Sequence, residues 1–395
     1  MPAAITLDDL PFTNSAHLLV EAGLAGLAVG ERLLVSGRDP DLSVHLATWC
    51  RAQGHGFVAE PDGGERVGWV VQGGAAAARW QDAGRAGDAR GVPAAQALPQ
   101  WGLAARGALV EAGAPEFRFN LTERENLWSD DAARLYALAA AAQWDPSRVL
   151  DAGVAELSPV VDAALAQLLT FLIENENAAL LVTARFLAQV HPHFREVVQV
   201  LAIQAADEAR HVEVFTRRLH ACRSGVARST VLGQQSLQTL VEEPDFMLAS
   251  FLLAVMGEGT FLTLLAFIER HAPDAATRTI MRLVIQDESR HVAFGISHLA
   301  RQLAHDPAQR SRLTSAVRRR SEHLRQGSGM NQVVLDALVL LVAGELSPSA
   351  IARGHEQLHH LRINMDTGRR ARLGQLGFST EEAASLSALH TPNFM

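Results

Sequence analysis

Asp207-Glu208-Ala209-Arg210-His211 and Asp287-Glu288-Ser289-Arg290-His291 write one pattern, D-E-x-R-H, twice, 80 positions apart. On a helix, residues three apart share a face, so each copy turns a carboxylate (Glu208, Glu288) and an imidazole (His211, His291) toward one point. Two copies supply four donor side chains. A pair of cations inside a helical bundle calls for two more carboxylates, one on the helix before each copy.

Both are present. Glu258 lies in Met256-Gly257-Glu258-Gly259-Thr260-Phe261-Leu262, within an apolar helix expected from about Phe246 to Glu269. The first half offers Glu174 and Glu176, in Ile173-Glu174-Asn175-Glu176-Asn177-Ala178-Ala179-Leu180, within an apolar helix expected from Val161 to Val190. His191 precedes His211 by 20 residues and His271 precedes His291 by the same 20, so the halves read as a repeated helix pair. Glu258 lies 30 residues before Glu288, while Glu174 and Glu176 lie 34 and 32 before Glu208. A difference of four is about one helical turn and keeps the face, which selects Glu174 as the ligand and leaves Glu176 beside it. A local likeness of Glu176-Asn177-Ala178-Ala179-Leu180 to Glu258-Gly259-Thr260-Phe261-Leu262 points the other way on two identities.

A lone E-x-x-H is usually a solvated Glu with an incidental His. Two in register, each behind a helix with a buried acid, are another matter: without cations, each unpaired charge on these apolar faces would cost several kcal/mol. Four carboxylates and two imidazoles, with no thiolate, suit iron or manganese and do not suit a structural tetrahedral zinc. The expected cofactor is two Fe ions per chain, with Mn or a mixed Mn/Fe pair left open, and O2 as co-substrate.

With these residues in view, the stretch from about 125 to 395 resembles the ferritin-like carboxylate di-iron proteins, in which two helices give one Glu each and two others give Glu-x-x-His. D-E-x-R-H in both halves is similar to the hydroxylase subunits of bacterial multicomponent monooxygenases. The resemblance implies that Asp207 and Asp287 hold the second nitrogen of the ligand histidines, with Arg210 and Arg290 bracing them. A ligating imidazole ordinarily has its other N–H fixed in this way.

Composition closes other doors. The 35 basic residues are all Arg, which removes Lys Schiff-base chemistry and the phosphate-binding G-x-x-x-x-G-K-[ST] loop. A net charge of -8 and a pI near 6.1 give no footprint for nucleic acid. Arg318-Arg319-Arg320 is read as a solvated helix face. Two cysteines, Cys50 and Cys222, support neither a disulfide framework nor a thiolate site, and fit a reducing cytoplasm. No signal peptide is read at Met1-Pro2-Ala3-Ala4-Ile5, and the apolar runs Phe251 to Met256 and Val333 to Gly344 are too short to span a membrane.

The expected fold is mainly α, a four-helix di-iron bundle with extra helices, preceded by a small α/β two-layer domain. Residues 1–75 read β-α-β-α-β-β, with strands at Ile5-Thr6-Leu7, Arg32 to Val35, Gly56 to Ala59 and Val67 to Val71, and helices at His17 to Leu27 and Leu42 to Gln53. Through Gly30-Glu31-Arg32-Leu33-Leu34-Val35, Gly37-Arg38-Asp39-Pro40 and Trp49-Cys50 this part looks like the small sulfur carriers (TusA-like). That family's working Cys stands in C-P-x-P before the first helix. Here the place reads Pro11-Phe12-Thr13-Asn14-Ser15-Ala16, so no nucleophile is expected, and a docking or lid role is expected instead. Residues 76–122, rich in Ala, Gly and Arg, read as a linker, and 123–395 as the helical domain. Gly327-Ser328-Gly329 reads as a break between helices, and the chain after Gly377 as a short helix with an extended end.

His355-Glu356-Gln357-Leu358-His359 fits H-E-x-x-H but lacks a third ligand on a following helix and reads as a surface coincidence. The leading expectation is an oxygen-activating oxidoreductase on a small organic substrate, by hydroxylation, desaturation or N-oxygenation. Thr260 and Phe261 are candidate pocket residues, with Phe171, Phe186, Phe215, Phe251, Phe267 and Phe294 as further walls. The alternatives are iron handling, radical storage, for which the single Tyr136 lies outside the ligand helices, and a non-catalytic metal-stabilised binding module. No flavin, haem or iron-sulfur motif is visible, so a separate reductase or ferredoxin must supply electrons. A homodimer is left open.

Overall fold

A computed structural model of the chain describes residues 3–60, 64–75, 79–325 and 332–389. The glycine break at Gly327-Ser328-Gly329 and the end from His390 onward lie outside them. The chain forms two compact units, one of Met1–Val92 with Leu98–Phe117 and one of Pro93–Ala97 with Arg118–Met395.

The first unit is a four-stranded sheet with two helices. Its elements run β1 (Ala3–Thr6), α1 (His17–Leu24), β2 (Arg32–Ser36), α2 (Leu42–Gln53), β3 (Gly56–Ala59) and β4 (Arg66–Val71). The sheet order is β1-β2-β4-β3, with β1 and β2 parallel and the other pairs antiparallel. Alternation turns Leu33 and Val35 inward, where they meet Val20 and Leu24 of α1 and Leu42, Leu46 and Cys50 of α2, spaced by four along one helix face. Gly68 is obligatory here: a Cβ on it would stand 2.4 Å from the Val58 carbonyl oxygen. Burial pushes the Cys50 thiol up to about 11, so it is core rather than nucleophile. Before α1 the chain makes a 3-10 turn at Phe12–Asn14, its Phe12 buried with the ring 6.1 Å from that of Trp49. Much of the stretch read as a linker is structured within this unit, where β5 (Gly84–Arg85) pairs antiparallel with β6 (Leu109–Val110).

The second unit is helical: α3 (Ala132–Ala141), α4 (Pro159–Leu187), α5 (Arg195–His220), α6 (Val231–Val241), α7 (Phe246–Arg270), α8 (Ala275–His305), α9 (Gln309–Arg325), α10 (Gln332–Ala343), α11 (Pro348–Gln375) and α12 (Thr380–Ala388). Helices α4 with α5, and α7 with α8, are hairpins joined by short links, so each pair runs antiparallel, and α5 packs on α8 to close a four-helix bundle. Caps fix where three of these helices begin. Ser158 accepts from Val161 N at the start of α4, Asp245 from Leu248 N at α7, and Asp274 from Thr277 N at α8. Asp274 also pairs at 2.7 Å with the buried Arg218, tying the end of α5 to the start of α8. Helix α3 lies on α5, α10 on α4, and α11 on α7.

Helix α7 departs from expectation. Phe251–Glu258 is wound as a π-helix, wider than the α-helix read from its apolar run, and α-geometry resumes at Gly259. The whole stretch is buried, which explains why hydrophobic periodicity gave no sign of the change: a segment apolar on every face has no stripe whose phase could shift. By length and composition α7 could cross a bilayer, but 83% of its apolar window is buried within the fold. The arginine run divides, with Arg318 and Arg319 exposed and Arg320 buried, donating to Ser236 Oγ at 2.8 Å.

Candidate metal centre

Six side chains converge between α4, α5, α7 and α8. Donor atoms of Glu176, Glu208, His211 and Glu288 all lie within 4.8 Å of one another, and so do those of Glu208, Glu258, Glu288 and His291. Each set of four could hold one cation. Glu208 and Glu288 belong to both sets and could bridge, while Glu176 with His211 and Glu258 with His291 could close the two ends.

Glu174 is not in this group, contrary to the spacing argument; Glu176 stands there instead, its Oε2 3.4 Å from His211 Nδ1. Glu174 is half-buried one face away. The reason is where the two extra residues of the first half reside. Glu176 stands eleven residues before Leu187, the end of its helix, and Glu258 twelve before Arg270. Both therefore sit at nearly the same height. The extra length lies in the link between helices, seven residues after Leu187 against four after Arg270, and residues in a link do not rotate a helix. Accordingly Glu174→Gln should retain full metal content, whereas Glu176→Gln should lose about one cation per chain, as read by metal analysis after loading and desalting.

The imidazoles are held from behind in a crossed arrangement. His211 Nε2 is 3.2 Å from Asp287 Oδ2, and His291 Nε2 is 3.2 Å from Asp207 Oδ2, so each aspartate serves the histidine of the other motif. Arg210 donates to Asp207 Oδ1 at 2.6 Å and Asp287 Oδ2 at 2.8 Å, joining both, and Arg290 pairs with Asp287 Oδ1. Two residues of the stretch after α3 complete the network. Gln143 Nε2 donates to Asp207 Oδ1 at 3.0 Å, and Trp144 Nε1 to Asp287 Oδ2 at 2.8 Å. The Trp144 ring stacks near His211, centroids 6.4 Å apart, and carries the Arg210 guanidinium 4.7 Å above it. Their only sequence signal is that they end an alanine-rich run just before Asp145-Pro146.

With their Nε2 atoms so engaged, both histidines turn Nδ1 into the cluster. His291 Nδ1 lies 3.0 Å from Glu208 Oε1, and His211 Nδ1 3.2 Å from Glu288 Oε1. These are close approaches without hydrogen-bond alignment: both oxygens of Glu208, Glu258 and Glu288, and His291 Nδ1, are buried with no hydrogen-bond partner. Buried polar atoms left in that state are costly in a protein interior, and convergent oxygen and nitrogen lone pairs around a shared point are what a hard cation requires. The donor set fits a pair of iron or manganese ions.

The electrostatics agree. Burial, and then the neighbouring Glu208 carboxylate, hold Glu176 well above the usual carboxylate range; burial and Glu288 do the same to Glu258. Burial opposes charge on His211, but the carboxylates of Asp287, Glu176, Glu208 and Glu288 outweigh it and raise its pKa; His291 is raised likewise, chiefly by Glu208 and Glu288. For Glu208 the order reverses, since the two imidazoles outweigh burial and keep it charged.

A cavity of about 20 Å³ touches His291, walled by Phe186, Phe246, Phe294, Val182 and Leu253, with Thr183 and Gln204 as polar points. Thr260 and Phe261, expected at the pocket, do not line it: Thr260 donates back to Met256 O at 2.6 Å, and Phe261 packs on Phe171 with ring centroids 5.8 Å apart. Phe246 also forms part of the wall of a groove of about 810 Å³ that includes Glu123, Asp245 and His305. Behind Phe246 lies His298, which burial drives down to about 4 and so keeps neutral. The H-E-x-x-H of α11 is exposed at His355, Glu356 and His359, and joins no candidate metal group among the described residues. Tyr136 is half-buried on α3, outside the four helices of the cluster.

No family model matches this chain, and no curated protein matches it. Solved structures resemble it. A mutant R2-like ligand-binding oxidase with a Mn/Fe cofactor is similar at 20% identity over 64% of this chain and 95% of that one, with a TM-score of 0.47. The R2-like ligand-binding oxidase from Sulfolobus acidocaldarius is similar at 16% identity over 64% and 93%, with a TM-score of 0.42. A protein with aldehyde deformylating oxidase activity from Synechococcus is similar at 19% identity over 58% and 96%, also with a TM-score of 0.42.

Proposed function

We propose that this chain is an oxygen-activating di-metal oxidoreductase, holding two Fe ions or a Mn/Fe pair and acting on a small organic substrate. The observation that carries the proposal is the buried cluster of Glu176, Glu208, His211, Glu258, Glu288 and His291, in which both oxygens of Glu208, Glu258 and Glu288 have no hydrogen-bond partner. When bound, such a pair supplies electrons to O2 and a surface on which it is activated. The chain's own residues do the rest. Asp207 and Asp287 fix the histidine tautomers so that Nδ1 faces inward. Phe186, Phe246 and Phe294 wall the His291 side against water, and the small cavity there has room for little more than O2. This walled approach favours an organic substrate over iron storage, which needs a hydrophilic path for ions. Electrons must come from a separate donor.

The decisive experiment is anaerobic Fe(II) loading followed by O2 exposure under Mössbauer and optical observation. Two coupled irons per chain, oxidised together, are expected. A chain that retains no metal pair, or a single zinc, overturns the proposal. Steady O2 consumption with Fe(II) as the only reductant, and no organic product from any substrate tested, would favour iron handling.

Metal uptake should also depend steeply on pH. The metal-free cluster holds protons on Glu176, Glu258, His211 and His291 above the pH at which these groups ionise in an unfolded chain. Cations must displace those protons, so affinity rises with pH. The sign for folding is opposite. Where folding raises a pKa, the stability it brings is present at low pH and lost as pH rises through the folded value, about 1.4 kcal/mol per pH unit for each proton held. As pH rises above neutrality, the melting temperature of the metal-free protein should therefore fall while that of the loaded protein holds or rises, a divergence that paired thermal scans would reveal.

A further inference from the structure

Arg372 stands on α11, outside the four helices that carry the candidate ligands, yet its guanidinium is spent on one carbonyl and one hydroxyl of α7. Its Nε donates to the Val255 carbonyl at 2.8 Å and its Nη2 to Thr260 Oγ1 at 3.3 Å, while Thr260 donates to the Met256 carbonyl at 2.6 Å. All three contacts fall where the π-helix ends. Gly259 N–H still donates to the Ala254 carbonyl, five residues back. Once bonding to the fourth residue back resumes, the Val255 carbonyl is passed over and needs a donor from elsewhere. Arg372 supplies it.

Space for this is written into the sequence. A Cβ on Gly259 would stand 2.3 Å from Arg372 Nε, so only glycine lets the guanidinium lie against the helix, and a Cβ on Gly368, one turn before Arg372, would stand 3.2 Å from its Nη1. No carboxylate pairs with Arg372 among the described residues; burial lowers its pKa to about 10, which leaves it charged at neutral pH. A half-buried cation without an acid is an expensive way to satisfy one carbonyl unless the carbonyl's position matters. What matters next to it is Glu258, the last residue of the wide turn, whose two carboxylate oxygens have no hydrogen-bond partner, so that its direction depends on its backbone and packing.

We infer that Arg372 is a positioning residue for Glu258: by clamping the π-to-α junction at Val255 and Thr260, with Gly259 as the seat of its guanidinium, it sets the direction of the Glu258 carboxylate toward the second cation position. The inference rests on the proposed metal centre.

The test is a Co(II) titration of the metal-free full chain by calorimetry and visible absorption, with Glu258→Gln and Glu176→Gln as references for loss of either position. The parent is expected to take up two Co(II). Arg372→Met should weaken the second step at least tenfold and leave the first unchanged, its residual spectrum matching Glu258→Gln and not Glu176→Gln. Arg372→Lys, which keeps a charge and a donor, should recover part of that step. Gly259→Ala should reproduce Arg372→Met by expelling the guanidinium, and the double variant should be no worse than either single one. An unchanged two-step titration in Arg372→Met, equal weakening of both steps, or additive effects of the two substitutions would overturn the inference. If Arg372→Met does not fold, Arg372→Lys and Gly259→Ala decide it by the same criteria. A parent that binds no Co(II) would instead remove the metal centre itself.

Discussion

Glu288→Gln should abolish the metal pair and yet leave the metal-free protein folded, with a stability close to its parent's. Glu288 belongs to both candidate sets, so its loss removes a donor from each cation and the bridge between them. The amide keeps the volume but offers a neutral oxygen where two divalent charges need an anion. Loading should fall from two cations to at most about one, weakly held, with oxygen reactivity falling by three orders of magnitude or more if each cation's loss is worth several kcal/mol of barrier. Stability should change little, because four carboxylates and two imidazoles are confined in a dry interior. Removing Glu288 relieves repulsion among the buried acids but also removes its attraction to His211 and His291, 3.2 and 3.6 Å away, so the two effects offset to within about 1 to 3 kcal/mol. Chemical denaturation of both metal-free proteins measures this directly. A variant that loses metal only because it unfolds would melt well below its parent, and that result would contradict the assignment of Glu288 as a ligand held for function.

Arg210→Ala should have the opposite signature, a large loss of stability in the metal-free and loaded forms alike. Arg210 is the cation between Asp207 and Asp287, both buried, and it rests on the Trp144 ring. Its deletion leaves two buried carboxylates with one fewer positive neighbour and a hole beside α3. Breaking a buried ion pair by removing one partner typically costs about 3 to 5 kcal/mol. Methionine at the same position should restore the packing but not the charge. If Arg210→Met proves as stable as the parent, the network of Gln143, Trp144 and Arg290 suffices to hold the aspartates, and Arg210 is dispensable.

Much of the centre could be read before any coordinates because D-E-x-R-H carries its own geometry. Glu and His three apart on a helix must share a face, and Asp one residue before Glu must look toward the neighbouring helix. The elements of the first unit were legible for a similar reason, since β-branched alternation and short helical stripes differ in period. Spacing along the chain points to Glu174 where the structure has Glu176, because part of that spacing is spent in the link after Leu187 and does not rotate the helix. The π-helix was invisible because Phe251–Glu258 is buried on every side. Gln143, Trp144 and Arg372 act across distances of 64, 143 and 117 residues in sequence, and nothing in a single chain announces such a pairing.

The crossed aspartates carry a consequence for how such a molecule can be divided. Each imidazole is steered by an acid from the opposite half of the duplication, Asp287 for His211 and Asp207 for His291. A fragment bearing one motif thus lacks the group that orients its own nitrogen, and becomes whole only when its sister returns. Severed between α6 and α7, the two pieces would be silent apart and would regain their cations together, as complementary halves of one lock.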